Sequence, residues 1–147
     1  LHDQLRLRGD LRDGEYDAGL AAALLEERRA VLVRLAGEQR LIAAEDAGRY
    51  RDALGVMPPA GLPDSFIATV DPAVALRQLV HRFARGRGPF TTAEANGRFG
   101  RDVEAVLAGL ENEELLVRGE LRPGGLRHGG PPVGKPQAAA RGVPCRR

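Results

Sequence analysis

Apolar positions along the chain fall into helical stripes broken by a few short extended runs. Leu1 and Leu5 lie one helical turn apart, and Gly9-Asp10 ends that short helix. Leu20, Leu24 and Leu25 form a second stripe at helical spacing. The run AVLVRLA at 30–36 predicts a strand. Gly37-Glu38 then predicts a two-residue turn with glycine first, the order of a type II′ hairpin, and 39–43 the return strand. Glu45-Asp46 opens a helix that runs to Leu54 and stops at Gly55. Two acids in a first turn suit the positive helix end.

Residues 57–70 carry Pro58, Pro59, Gly61 and Pro63, the composition of a linker. Asp71-Pro72 reads as an N-cap followed by proline at the first helical position. Leu76, Leu79, Val80 and Phe83 mark the buried face of the helix that follows, which Gly86 to Pro89 ends. Thr91 with Glu94 fits a capping box ahead of a short helix that turns at Phe99-Gly100. Val103, Val106, Leu107 and Leu110 mark a third helix, and 115–122 a strand.

The two halves repeat. With Leu25 aligned on Leu110, each half gives an apolar helix face, a short charged stretch (EERR, then ENEE) and an apolar strand. Helix, turn, helix and strand is the order of a winged helix. The fold class expected is mainly α with short β hairpins, in tandem winged-helix-like units. The expected boundaries are 1–56 for a partial first unit, 57–70 for a Pro-rich linker, 71–123 for a second unit and 124–147 for a disordered Gly/Pro tail.

Composition narrows the function classes. The 147 residues are 43% hydrophobic and 29% charged, with no Trp, so the core must come from Leu, Val and Ala. A net charge of +2 selects no polyanion by global field. The basic residues are nearly all arginine, with Lys135 the only lysine, and the planar guanidinium suits phosphate and base-edge contacts. Cys145 is the only cysteine, so no internal disulfide forms, and no run of 18 apolar residues provides a membrane span. Both features point to a cytoplasmic setting. The start at Leu1, without methionine or signal pattern, suggests a piece of a longer chain.

Candidate chemistry is sparse. Residues 129–135 match G-x-x-x-x-G-K, but Pro136 replaces the hydroxyl residue that holds magnesium, and Pro131 and Pro132 remove donors that would cradle phosphate. No cofactor is expected. Ser65, the only serine, lies in the Pro-rich stretch without a nucleophile elbow. His2, His81 and His128 share no metal-ligand spacing, so no metal site is expected. Glu45-Asp46 could do acid–base work, though capping explains it more simply. No catalytic residue is assigned.

The arginines carry the signal. Arg77, Arg82, Arg85 and Arg87 cluster with His81 on or just after one helix, and Arg98 and Arg101 flank the turn before the third helix of the second unit. These six arginines are the expected nucleic-acid contacts. Arg28, Arg29, Arg34 and Arg40 flank the first hairpin. The third helix itself carries Asp102, Glu104, Glu111, Glu113 and Glu114, a poor surface for phosphate and a better one for packing or protein.

Three stretches carry a resemblance: LAGEQRLIAAEDAGRYRDALG at 35–55, ARGRGPFTTAEANGRFGRDVEAVLAGL at 84–110 and GELRPGG at 119–125. They resemble, in order and wording, the region C-terminal to the helicase core in large helicase-related (Lhr family) proteins, across residues 1–125. That resemblance implies a large superfamily II, ATP-dependent helicase linked to DNA repair, whose C-terminal region is similar to glycosylases built from tandem winged helices. No residue matches a glycosylase catalytic position. Asn96-Gly97 departs from the helix-forming alanines of the family. After Gly125 the resemblance stops, where the family continues with a Trp-Cys-Asp strand; a frameshift in a GC-rich gene produces such a tail. The return strand of the second wing is therefore expected to be missing. The reading is a nucleic-acid-binding fragment, not catalytic in isolation, whose partners are DNA or RNA and neighbouring domains of the parent helicase, with no membrane. Its alternatives are a subdomain of a glycosylase-like module and a scaffold packed on neighbouring domains.

Overall fold

The computed structural model describes residues 1–119 and the backbone of 143–146. Two winged-helix-like units follow each other. The first is α1 (His2–Arg8), β1 (Leu11–Arg12), α2 (Ala18–Glu26), β2 (Ala30–Leu35) and β3 (Glu38–Ala43). A 3-10 turn at Ala44–Asp46 leads into α3 (Ala47–Leu54). The second unit is α4 (Pro72–Gly86), α5 (Thr92–Phe99), α6 (Glu104–Asn112), β4 (Leu116–Gly119) and β5 (Val143–Arg146). The fold is mainly helical with short antiparallel hairpins, as the periodicity predicts.

The helix starts are set by local chemistry. The Asp71 carboxylate accepts from the Ala73 and Val74 amides at 3.0 and 3.1 Å, ahead of Pro72. Thr91 and Glu94 form the reciprocal capping box, with the Thr91 hydroxyl accepting from Glu94 N–H at 3.1 Å and the Glu94 carboxylate from Thr91 N–H at 2.7 Å. Gly55 and Gly100 end α3 and α5 in the left-handed conformation.

The sheet order is β1-β3-β2, all antiparallel. Leu35 pairs with Glu38, so the two central turn residues are Ala36 and Gly37, both with positive φ (52° and 77°). That is a type I′ turn one residue earlier than the expected Gly37-Glu38 type II′ turn. Strand alternation places Val31, Val33 and Leu35 on one face, with Ala30 and Leu32 on the other. The first face joins a large core with Tyr50, Leu79, Phe83, Phe99, Leu107 and Leu110. The second covers a smaller core of Leu5, Leu11, Ala21, Leu24 and Leu41. The large core draws on both units, so the halves share one interior.

The internal repeat is sharper in three dimensions than in sequence. Arg28 N–H bonds to Leu25 C=O and Arg29 N–H to Leu24 C=O; Glu114 N–H bonds to Glu111 C=O and Leu115 N–H to Leu110 C=O. Both are Schellman closures, with Arg28 (φ 56°) and Glu114 (φ 59°) in the left-handed position usually held by glycine. Leu24 is therefore the counterpart of Leu110, one residue from the expected pairing of Leu25 with Leu110. Leu24 and Leu110 are both buried, as are the first strand residues Ala30 and Leu116.

Two expectations about connecting segments change. The stretch 57–70 is pinned across α3: Arg51 donates to Ile67 C=O at 2.9 Å, and Asp52 accepts from Val70 N–H at 2.8 Å. A Cβ on Gly48 would lie 2.9 Å from Ala68 O, so only glycine lets the chain pass there. The second correction concerns the tail. Val143–Arg146 pairs antiparallel with β4, from Leu116↔Arg146 to Gly119↔Val143, so a return strand is present where none was expected. Ladder pairing is a backbone property, and Pro144 is tolerated in an edge strand because its missing N–H can face away from the partner. The G-x-x-x-x-G-K stretch and the rest of the tail lie outside the described residues. No helix among the described residues is long and apolar enough to cross a membrane.

Candidate nucleic-acid interface

Helix α4 positions most of the predicted cations. Its buried face is Ala75, Leu76, Leu79, Val80, Phe83 and Ala84. The opposite edge carries Arg77, Gln78, His81 and Arg85, with Arg82 between. The C-terminal turn of α1 meets this edge. A Cβ on Gly86 would lie 3.0 Å from Arg8 Cα and 3.2 Å from Leu7 O, so glycine is what allows the two helices to approach so closely. Between them runs a groove of 530 Å³ lined by Arg6, Leu7, Arg8, Gln78, His81, Arg82, Arg85 and Gly86.

The six predicted arginines separate into different environments. Arg77 lies at the surface and forms a two-pronged ion pair with Glu113, just after α6, so part of its charge is already answered. Arg82 reaches down to the buried Asp46 at 2.5 Å. Arg85 is exposed and borders the groove. Arg87 lies 4.9 Å above the Phe83 ring and 3.8 Å from Glu15. Burial, then the positive charge of Arg98, lowers its pKa from the usual arginine value. Arg101 donates to Ala53 C=O at 2.9 Å, satisfying an end carbonyl of α3.

Arg98 points inward. It is 3% exposed and bonds Asp10 O at 2.6 Å, the Asp10 carboxylate at 2.8 Å and Glu15 at 3.0 Å. Arg40 is fully buried and reaches the same Asp10 carboxylate at 2.5 Å and Arg98 C=O at 3.2 Å. Asp10 thus holds one arginine from each unit. Tyr50 donates to it at 3.4 Å. Burial and the charges of Asp10 and Asp46 hold the Tyr50 hydroxyl well above the usual tyrosine range. Burial alone would raise Glu15, but hydrogen bonds from Arg98 and the Arg12 amide, with the charges of Arg98 and Arg87, bring it down to about 2.

Glu45 and Asp46 do not cap the helix that they open. Neither the start of the 3-10 turn nor that of α3 carries a side-chain cap bond. Glu45 pairs with His2 at 3.3 Å and Arg6 at 3.6 Å, and Asp46 with Arg49 and Arg82, each at 2.5 Å. Both carboxylates are drawn into ion pairs with flanking cations. Asn96, expected to weaken α5, has a job of its own: its side-chain oxygen accepts from Val103 N–H at 2.9 Å and ties down the turn into α6.

Sequence reasoning missed Arg6 and Arg8. Both lie in the last turn of α1, and only the α1–α4 crossing turns them into groove lining. Neither helix that precedes a wing strand, α2 or α6, carries a basic residue. The arginine-lined groove is therefore built from the first helix of each unit.

Residues 1–69 match the family model described as large helicase-related protein, winged-helix domain. The chain belongs to the large helicase-related (Lhr) family. It is 38% identical, over 81% of its length, to the Lhr helicase/probable uracil glycosylase of Mycolicibacterium smegmatis. It is 33% identical, over 70% of its length, to the Lhr helicase/uracil glycosylase of Escherichia coli. It spans only 8% and 6% of the lengths of those Lhr proteins.

Proposed function

We propose that this Lhr-family chain contacts DNA or RNA through the α1–α4 groove, as a non-catalytic winged-helix part of a cytoplasmic ATP-dependent helicase acting in DNA repair. The observation that supports this reading is the groove itself. Arg6, Arg8 and Arg85 line one channel together with His81. Guanidinium groups contact phosphate oxygens, and such contacts carry no sequence preference. Burial, then the charges of Arg85 and Arg77, lowers the His81 pKa, so the channel's charge near neutrality comes from arginine.

The site differs from the one expected. Of the six predicted contacts, Arg85 and Arg87 remain candidates for phosphate, with Arg77 at the rim. Arg82, Arg98 and Arg101 have intramolecular partners that occupy them. The test is binding of fluorescent single- and double-stranded oligonucleotides to the full chain. The double variant Arg6→Ala/Arg85→Ala should weaken both several-fold and equally across sequences. Unchanged binding would remove the groove as the contact.

A second reading rests on the relatives' own names, both of which include uracil glycosylase. On that reading the chain frames part of a glycosylase module, and a base would be flipped toward residues supplied elsewhere. Release of uracil from a uracil-containing oligonucleotide by the full-length protein, abolished when this segment is disrupted, would favour it.

A further inference from the structure

Beside the groove, and sharing Arg8 and Gly86 with it, lies a second cavity of 630 Å³. Four arginines line it, Arg8, Arg12, Arg87 and Arg98, against a single carboxylate, Glu94. Two of the four are answered from behind: Arg12 by Glu38 at 3.1 Å, and Arg98 by Asp10 and Glu15. Arg87 is not. Its Nε and Nη2 are buried yet have no hydrogen-bond partner among the described residues, and its nearest carboxylate is 3.8 Å away. Buried guanidinium donors without acceptors are costly, so the site is built as though an anion completes it. The Arg87 guanidinium lies 4.9 Å from the centroid of the Phe83 ring. Gly88 and Gly97 leave the mouth open, because a Cβ on either would meet nothing within 4 Å.

The geometry points to this cavity as a seat for one phosphate group, held by Arg87 with Arg8 and offered by the nucleic-acid strand that lies in the adjoining groove. This rests on the groove reading above for its strand, and on Arg87 alone for its anion. A tetrahedral oxyanion can accept from Nε and Nη2 of Arg87 at once, the fork geometry that guanidinium favours. The same chemistry is offered by an internal phosphodiester or by a terminal phosphate.

The experiment uses the whole chain and three probes. Inorganic phosphate, titrated against chloride at constant ionic strength, should shift the Arg87 Nε–H resonance. An oligonucleotide with a 5′-phosphate is compared with its 5′-hydroxyl counterpart, and a gain of several-fold for the phosphorylated form assigns the seat to a terminal phosphate, while equal affinity assigns it to an internal one. Gly97→Glu then sets a carboxylate at the mouth without disturbing the buried network, with Gly97→Ala as the steric control and Ala105→Glu as the charge control. Gly97→Glu should lower oligonucleotide affinity and reduce the slope of log affinity against log salt by about one, the signature of one phosphate no longer neutralised, and the two controls should not. No phosphate-specific shift at Arg87 overturns the seat. A shift at Arg87 with wild-type oligonucleotide binding by Gly97→Glu overturns the strand assignment. Loss of binding in Arg6→Ala/Arg85→Ala with the phosphate shift intact would separate the groove from the seat.

Discussion

Two sets of arginines in this chain look alike in sequence and behave in opposite ways. Arg40 and Arg98 are buried around Asp10, while Arg6 and Arg85 edge an open groove. The difference is set by what each helix or strand face packs against. Arg98 sits between Ala95 and Phe99 on the buried stripe of α5, and Arg40 shares a strand face with Ile42. Arg85 lies beyond the apolar stripe of α4, and Arg6 beside the single buried residue of α1, Leu5. The inward set joins the two units through one carboxylate. The outward set faces solvent, where a polyanion can reach it. The same residue type thus stands in two opposite environments, and only burial separates them.

The largest effect expected from breaking the inward set comes from Asp10→Ala. It leaves two guanidinium groups buried without their shared partner, and removing one member of a buried ionic cluster costs about 3–5 kcal/mol. Urea unfolding followed by circular dichroism should show that loss. Arg85→Ala should change the unfolding free energy by less than about 0.5 kcal/mol, as exposed substitutions do. Equal effects at the two positions would dissolve the distinction.

Acid offers a gentler probe of the same cluster. Glu15 titrates near 2 in the fold against 4.5 ordinarily. Its ionised form is favoured by folding, so the stability it contributes is present above 4.5 and disappears as the pH falls toward 2. Thermal melts between about pH 5 and 2 should show a falling midpoint, and Glu15→Gln should flatten that decline. A profile of the same steepness in the variant would place the acid sensitivity elsewhere.

A smaller effect, away from both sets, is expected at the helix closures. Arg28 holds a left-handed conformation that costs a side chain about 1–2 kcal/mol. Glycine relieves it but gives freedom back to the unfolded chain, at about 0.5–1 kcal/mol. Arg28→Gly should therefore stabilise by roughly 0.5–1 kcal/mol, with nucleic-acid binding unchanged.

Much of the fold was legible because local rules decide it. Asp71-Pro72 and Thr91-x-x-Glu94 mark helix starts by their own side chains, and the stripe Val103, Leu107, Leu110 marks the face that the core takes. The hairpin was legible in place but slipped in turn type, since Ala36 accepts a positive φ that sequence rules reserve for glycine or asparagine. Strand β1 is two residues long and exists only through its pairing with Leu41 and Arg40, so no periodicity announces it. Strand β5 was missed because backbone pairing makes little demand on composition. The site was half legible. Arg85 and Arg87 do line the cationic cavities, whereas Arg98, expected as a nucleic-acid contact, is buried, and the spacing of Ala95, Arg98 and Phe99 already places it on a buried stripe. Arg6 and Arg8 depend on a helix crossing distant in sequence, which no local pattern carries.

The central claim is that the outward arginines, and not the inward ones, meet the phosphate backbone. The most direct measurement is the salt dependence of oligonucleotide affinity for the full chain, the Arg6→Ala/Arg85→Ala variant and the buried-site variant Arg98→Lys. Each phosphate that a variant no longer neutralises lowers the slope of log affinity against log salt by about one. The account predicts a slope lower by about two for the double groove variant and an unchanged slope for Arg98→Lys, provided that the latter remains folded by circular dichroism. An unchanged slope for the groove variant, or a reduced one for folded Arg98→Lys alone, would contradict it.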